Sequence, residues 1–483
     1  MVLWSGCNDN HAGCASCYMG TVDLSVQGVF MTSTFDTSQI SAFRFVRCTL
    51  DAQTGVVSLV YAFDQGPEFV EKIMVPGAPF ALEGQRAEAV RQALRLLHLI
   101  AGVSYYKAIV PSTVTMDDDS IDAETAALVE EVYLYGLSEF AYRNGLNLHG
   151  RFQLPVQATG AMAPAPQLGL REHALVAIGG GKDSLVSIEA LRVAGMQQTV
   201  VWIGASQLIR ACAERSELQM LNVGRTLAPE LFALNRKGAW NGHIPVTAIN
   251  SAILVLVALL HGVDQVVFSN ERSASYGSVI PGTGEVNHQW SKSWAFEQHF
   301  SDYVQRRVAA DLRYYSLLRP LSELAVARQF AHCARYDAYF SSCNRNFHIL
   351  GERPAHRWCG QCPKCHFVFL ALAPFMPKTR LVGIFGRNLL DDASQASGFD
   401  ALLEWQDYKP FECVGEARES RTALAVLATR AEWKEDALVM RFIREIQPHL
   451  DPAQLQLDPL LTLSDEHRIP ASLWESMSAH FRT

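Results

Sequence analysis

The chain predicts an α/β protein: a doubly wound parallel sheet, preceded by an N-terminal α+β domain and followed by a C-terminal helical region. Three observations point there. Short, continuous apolar runs at 174–178, 199–203 and 265–269 read as strands buried on both faces. Helical patterns at 184–194 and 246–261 lie between them, and such alternation argues a parallel sheet. Beyond about Gly386 the pattern changes to charged amphipathic helices, at 421–430 and 434–446.

The elements follow in order. Residues 1–30 form an unpatterned leader rich in Gly, Asn and Cys, and Met31 is a candidate start. The loose spacing of Cys7, His11, Cys14 and Cys17 reads as chance, because nothing around it is patterned to fold. Strands at 43–50, 56–63 and 69–75, with turns at 51–55 and 64–67, predict an antiparallel meander. A helix over 86–100 stops at Gly102, and a second over 123–143 stops at Asn144-Gly145. The segment 154–170, with Pro155, Pro164 and Pro166, reads as a linker. The predicted divisions are thus 1–30, 31–155, 171–385 and 386–483.

Composition excludes several classes. At 483 residues, 49% hydrophobic and 19% charged, the chain fits a globular enzyme with more than one core. A net charge of −8 argues against a broad nucleic-acid-binding face. The longest apolar run, Ala252 to Leu260, is too short to span a bilayer. The first 30 residues hold no Lys or Arg, so no signal-peptide n-region is present and a cytoplasmic location is expected. The eleven cysteines then read as thiols or metal ligands.

The run Ile178-Gly179-Gly180-Gly181-Lys182-Asp183-Ser184 carries the strongest chemical signal. A strand enters three glycines and a helix leaves them. Glycines let backbone N–H groups approach an anion, and the helix N-terminus adds a positive field. The loop therefore predicts a phosphate or pyrophosphate site. Its spacing is neither G-x-x-x-x-G-K-[ST] nor G-x-G-x-x-G. A second signal is Cys359, Cys362 and Cys365 at C-x2-C-x2-C spacing, with Cys343 as the natural fourth ligand and Cys333, His356 and His366 as rivals. Four thiolates close a tetrahedral structural zinc site, and an iron–sulfur cluster is the alternative.

The glycine loop resembles the S-G-G-x-D-S loop of the N-type ATP pyrophosphatases, the PP-loop family. Gly179 stands where that family has Ser. The segments 178–184, 268–273, 287–293 and 357–370 together are similar to a narrower family, the UDP-N-acetyl-α-D-muramoyl-L-alanyl-L-glutamate epimerases. The resemblance runs from about residue 40 to the C-terminus. It implies a UDP-N-acetylmuramoyl dipeptide as substrate, ATP as co-substrate and magnesium between the phosphates. Gly179, Gly180, Gly181, Lys182, Asp183 and Ser184 would hold ATP, with Asp183 nearest the magnesium. Transfer of AMP to the glutamate α-carboxylate would remove its charge and make the α-proton acidic.

Two-face proton exchange needs an acid and a base of tuned pKa. The polar segment 270–297 supplies the candidates Glu271, Arg272, Tyr276, His288, Lys292 and Glu297. His288 or Glu271 is the candidate for proton exchange; Arg272 and Lys292 would hold carboxylates or phosphates. Lys182 and Asp183 complete the predicted catalytic set, and His243 is placed near the nucleotide or at a helix cap. The alternatives are another adenylating PP-loop enzyme, forming an amide or nitrile or thiolating tRNA, and a non-catalytic nucleotide sensor.

Overall fold

Alternating side chains decide which strand residues face which core. The computed structural model describes residues 40–117, 121–157, 164–280, 284–347, 354–406 and 409–482. The leader at 1–30, with its Cys7, His11, Cys14 and Cys17, lies outside them. In chain order the strands are β1 (Ala42–Asp51), β2 (Val56–Phe63), β3 (Phe69–Met74), β4 (Thr113–Met116), β5 (Arg171–Ala177), β6 (Gln198–Ile203), β7 (Gln219–Thr226), β8 (Val263–Phe268), β9 (Ser278–Ile280), β10 (Gly284–Val286) and β11 (Arg313–Ser316). Nine of them form one sheet in the order β11-β8-β5-β6-β7-β3-β2-β1-β4, and β9 and β10 pair separately.

The five strands β11, β8, β5, β6 and β7 run parallel. The meander was expected to belong to a separate α+β unit. Instead, β3 pairs antiparallel with β7, through Lys72 to Thr226, Ile73 to Arg225 and Met74 to Gly224, so the meander extends the same sheet. The purely parallel sheet of the sequence reading is therefore a mixed one. Arg225 donates to the buried Glu71 carboxylate at 2.7 Å across this seam. Such a pair costs much if one partner is removed.

Leu175, Val201, Val266 and Tyr314 point into one core, shared with the helix Gly84–Ala101 and the helix Val246–His261. Their neighbours Val176, Val200, Val267 and Tyr315 point into the other, shared with the helices Lys182–Val193 and Pro363–Leu372. The period of two therefore buries both faces. The helix Val246–His261 is buried along nearly its whole length, which accounts for its continuous apolar letters.

Some predicted bounds moved. The helix expected over 123–143 is two, Ala123–Gly136 and Ser138–Arg143, broken at Leu137. The strands β4, β7 and β11 were not foreseen: β4 and β11 have four residues each, and β7 carries Gln219, Asn222, Gly224 and Arg225 in a polar run. The C-terminal region is helical as expected, with helices Ala396–Leu403, Ala417–Ala428 and Ala437–Arg441. Among the described residues no helix is long and apolar enough to cross a membrane.

Candidate functional site

The glycine loop leaves β5 at the carboxyl end of the parallel strands, where ligands bind in such sheets. Gly180 has φ +77°, a conformation that strains any side chain. A Cβ on Gly181 would stand 3.4 Å from the Ser342 side chain. Ser184 Oγ accepts from Gly179 N–H and donates to the Gly181 carbonyl, both at 3.2 Å, which braces the turn from inside. Ser341 N–H donates to the Gly180 carbonyl at 2.9 Å. The first N–H groups of the helix Lys182–Val193 have no partner within the helix and are free to meet an anion.

Gly179, Gly181, Asp183 and Ser184 line a cavity together with Thr247 and Asn250 from the long apolar helix, Ser269 and Asn270 after β8, Ser342 and Phe347. Two cations, Lys292 and Lys364, complete the wall. Lysines beside a glycine turn suit a polyphosphate. Asp183 keeps 31% of its side chain exposed, while Glu323 keeps 4%.

Lys182 does not line this cavity. Its buried Nζ bridges the Asp183 and Glu323 carboxylates. Burial opposes the Lys182 charge, but Asp183, Glu323 and Glu271 outweigh it and hold its pKa above the ordinary lysine value. Burial likewise opposes the Asp183 charge, and Lys182, Lys364 and Lys292 overcome it, so Asp183 titrates below the usual carboxylate range. Glu323 goes the other way: burial lifts it to about 7 against the pull of Lys182, and Glu271 and Asp183 add to the lift. Glu271 is raised by burial and by Asp183.

A second polar chain adjoins the cavity. Lys292 Nζ donates to Cys413 Sγ at 3.1 Å. Burial disfavours a Cys413 thiolate, yet Lys292, His288 and Lys364 bring its pKa down to about 5. Burial disfavours an imidazolium at His288, yet Cys413 and Glu139 hold it up at about 10. His288 Nδ1 bonds the Glu139 carboxylate, whose other oxygen accepts from Arg143 Nε at 2.5 Å. His243 stacks on His288 with ring centroids 4.1 Å apart, and its Nδ1 lies 3.9 Å from Glu139. Burial and then the charge of His288 push His243 down to about 3, so it is neutral.

Cys343, Cys359, Cys362 and Cys365 bring their sulfurs within 4.8 Å of one another. The sulfurs stand 3.5 Å apart for 362–365, 3.7 Å for 359–365 and 3.9 Å for 343–362. A tetrahedral ion with ligands at about 2.3 Å needs sulfurs about 3.8 Å apart, so the four fit one metal ion. Of the rivals for the fourth place, His366 Nε2 is engaged with Gln395 at 2.7 Å and Cys333 Sγ with the Gln329 carbonyl at 3.7 Å.

This cysteine knuckle shapes the cavity. Lys364 stands between Cys362 and Cys365, is buried, and its Nζ donates to the Cys413 carbonyl. Ser341 and Ser342, which brace the glycine loop, immediately precede Cys343.

Of the residues singled out in the sequence, the fold brings Gly179, Gly181, Asp183, Ser184 and Lys292 to the cavity wall, with Gly180 shaping the turn. Glu271 and His288 are buried beside it. Arg272 is spent elsewhere, on the carbonyls of Thr462 at 3.2 Å and Leu460 at 3.4 Å. Glu297 braces the interior, accepting from Arg319 at 2.9 Å and from Ser316 N–H at 3.0 Å. Tyr276 is exposed. Sequence reasoning missed Lys364, Cys413, Glu139 and Glu323. Only Lys364 carried a signal, its place inside the C-x2-C knuckle.

Comparison with known proteins agrees along the chain. Residues 34–317 match a family profile described as the MurL N-terminal domain, and residues 339–456 match the MurL C-terminal domain. A UDP-N-acetyl-α-D-muramoyl-L-alanyl-L-glutamate epimerase from Xanthomonas oryzae pv. oryzae is 78% identical over 449 residues, covering 93% of this chain and 99% of the relative. Proteins of the same name from a Micromonospora species and from Salinispora tropica are 42% and 41% identical, covering 89% and 84% of this chain and 96% and 89% of their own lengths.

Proposed function

Because this chain belongs to the family of UDP-N-acetyl-α-D-muramoyl-L-alanyl-L-glutamate epimerases, which are isomerases, we propose that it inverts the terminal glutamate of UDP-N-acetylmuramoyl-L-Ala-L-Glu at the expense of ATP. The product is a D-glutamyl precursor of peptidoglycan, made in the cytoplasm. The observation that carries the ATP dependence is the glycine loop at the carboxyl end of β5, facing Asp183, Lys292 and Lys364 across one cavity.

The chemistry explains why a nucleotide is needed. The α-proton of a free glutamate carboxylate is scarcely acidic, because its loss places a second negative charge beside the first. Attack of that carboxylate on the α-phosphorus of ATP gives an acyl adenylate and pyrophosphate. The acyl group now accepts carbanion charge as an ester does. Proton removal and return on opposite faces invert the centre, and water releases AMP and the D-glutamyl product.

The loop N–H groups and the helix N-terminus meet the phosphates. Lys292 and Lys364 neutralise charge on the leaving pyrophosphate. Asp183, the part-exposed carboxylate on the wall, would hold magnesium, which supplies further charge neutralisation. Lys182 acts from beneath, fixing Asp183 and Glu323. The four cysteines would hold one structural zinc that keeps Lys364 and the 341–343 segment in place.

Proton NMR in D2O with the UDP-muramoyl dipeptide, ATP and magnesium tests this reading. The glutamyl α-proton signal should disappear as AMP forms, and chiral analysis should find D-glutamate. AMP without exchange would replace the epimerase by another adenylating reaction, and exchange without ATP would remove the adenylate.

A further inference from the structure

We propose that Cys413 is the catalytic residue that takes the glutamyl α-proton, with His288 and Glu139 as its positioning pair. The proposal rests on the epimerase reading above and names the group that reading leaves open.

The placement comes first. Cys413 is buried, and its Sγ is 3.1 Å from Lys292 Nζ, a cation on the wall of the nucleotide cavity. Lys364, the other cation on that wall, bonds the Cys413 backbone carbonyl and so fixes the residue against the cavity. Behind the thiol stands His288, anchored through Nδ1 to Glu139. The remaining ring nitrogen, Nε2, is buried without a hydrogen-bond partner, and the side chain is only 9% exposed. The imidazole's other interaction is with the Cys413 thiol, which together with Glu139 holds it protonated.

The charge pattern suits a base. The groups acting on Cys413 are Lys292, His288 and Lys364, with Glu412 the acidic neighbour. Lys292, His288 and Lys364 outweigh the cost of burial and keep the sulfur anionic near neutral pH, with Glu412 facing it and with Glu139, Glu271 and Asp183 acting on the cations themselves. Two other acids near the cavity fit less well. Asp183 is committed to Lys182, and Glu323 is sealed beneath it.

The step balances as follows. The Cys413 thiolate forms an S–H bond as the Cα–H bond of the glutamyl adenylate breaks. The electron pair moves into the acyl carbonyl, giving an enolate whose charge the lysines neutralise. Water on the opposite face delivers a proton to Cα, and the hydroxide it leaves takes the proton from the Cys413 thiol, which restores the thiolate beside the Lys292 ammonium.

The test follows α-hydrogen exchange and AMP release together, in the zinc-loaded full chain with ATP, magnesium and the dipeptide substrate in D2O. In Cys413→Ala, AMP should still form while exchange falls by roughly 100- to 10,000-fold, the range of general-base catalysis. Exchange within threefold of wild type would overturn the proposal. If wild type itself shows neither AMP nor exchange, the epimerase reading fails before the cysteine is in question. A second variant decides the matter should Cys413→Ala fold poorly. His288→Gln removes one cation from the thiol, so the rising limb of exchange against pH should shift upward by about one unit or more, toward the ordinary thiol range. A merely structural histidine would lower the rate without moving that limb, and an unmoved limb would overturn the assignment.

Discussion

Replacing Lys182 with methionine removes a charge and keeps the volume. In the wild type its ammonium lies between Asp183 and Glu323, with side-chain exposures of 3%, 31% and 4% for Lys182, Asp183 and Glu323. Deleting one member of a buried ion pair typically costs about 3–5 kcal/mol, since the other charge is left unpaired. At roughly 2 cal/mol/K per residue over 483 residues, the unfolding entropy is about 1 kcal/mol/K. The variant should therefore melt about 3–5 °C lower at pH 8. The pH dependence carries the sharper test. Glu323 is raised to about 7 in the folded state from an ordinary 4.5, so it prefers its proton when folded. A carboxyl raised in this way contributes stability that is complete below its unfolded pKa and lost as pH rises through the folded one. Lys182 lowers the Glu323 pKa, so its loss lifts that pKa further and enlarges the penalty at pH 8. At pH 5.5 Glu323 is protonated with or without Lys182, and the gap between variant and wild type should shrink. Differential scanning calorimetry at the two pH values measures both quantities. Equal stability of variant and wild type at pH 8, or a larger loss at pH 5.5, would refute the bridging role.

Asp183→Asn should reduce AMP formation by at least about 100-fold while the melting temperature falls by only a few degrees; AMP formation at the wild-type rate would remove Asp183 from the adenylation step. Cys362→Ser should lose the bound metal, by elemental analysis, and weaken ATP binding about tenfold in calorimetric titration, because Lys364 and the Ser341 N–H contact with the glycine loop depend on the knuckle. Retained metal, or lost metal with unchanged ATP affinity, would refute that coupling. Arg272→Ala should cost about 1 kcal/mol in urea unfolding, through lost bonds to the Thr462 and Leu460 carbonyls, with AMP formation kept. A large rise in the substrate KM would return Arg272 to the site.

Local signals and long-range signals divided cleanly in this protein. A strand–glycine–helix run announces itself within ten residues, because the turn must have glycine where φ reaches +77° at Gly180 and the helix must start at once. Cysteines at C-x2-C-x2-C spacing announce a metal knuckle, because one ion needs its ligands within a few ångströms. The helix Val246–His261 is legible since only a helix buried on all sides is apolar all round. These features, the α/β class and the family resemblance stood in the letters alone.

Pairing between distant segments did not. The sheet continues across β3 and β7 because of backbone pairing between residues far apart in the chain, for example Lys72 and Thr226, and such pairing leaves no mark on side-chain pattern. Arg272 and Lys182 both looked free to bind anions, yet the fold directs one to C-terminal carbonyls and the other to a buried carboxylate pair. Cys413 carried no motif at all. Its thiol became chemically distinct only when His288 and Lys292 from one segment and Lys364 from another converged on it. Charge acts through space, so the tertiary structure alone decides which titratable groups share a field.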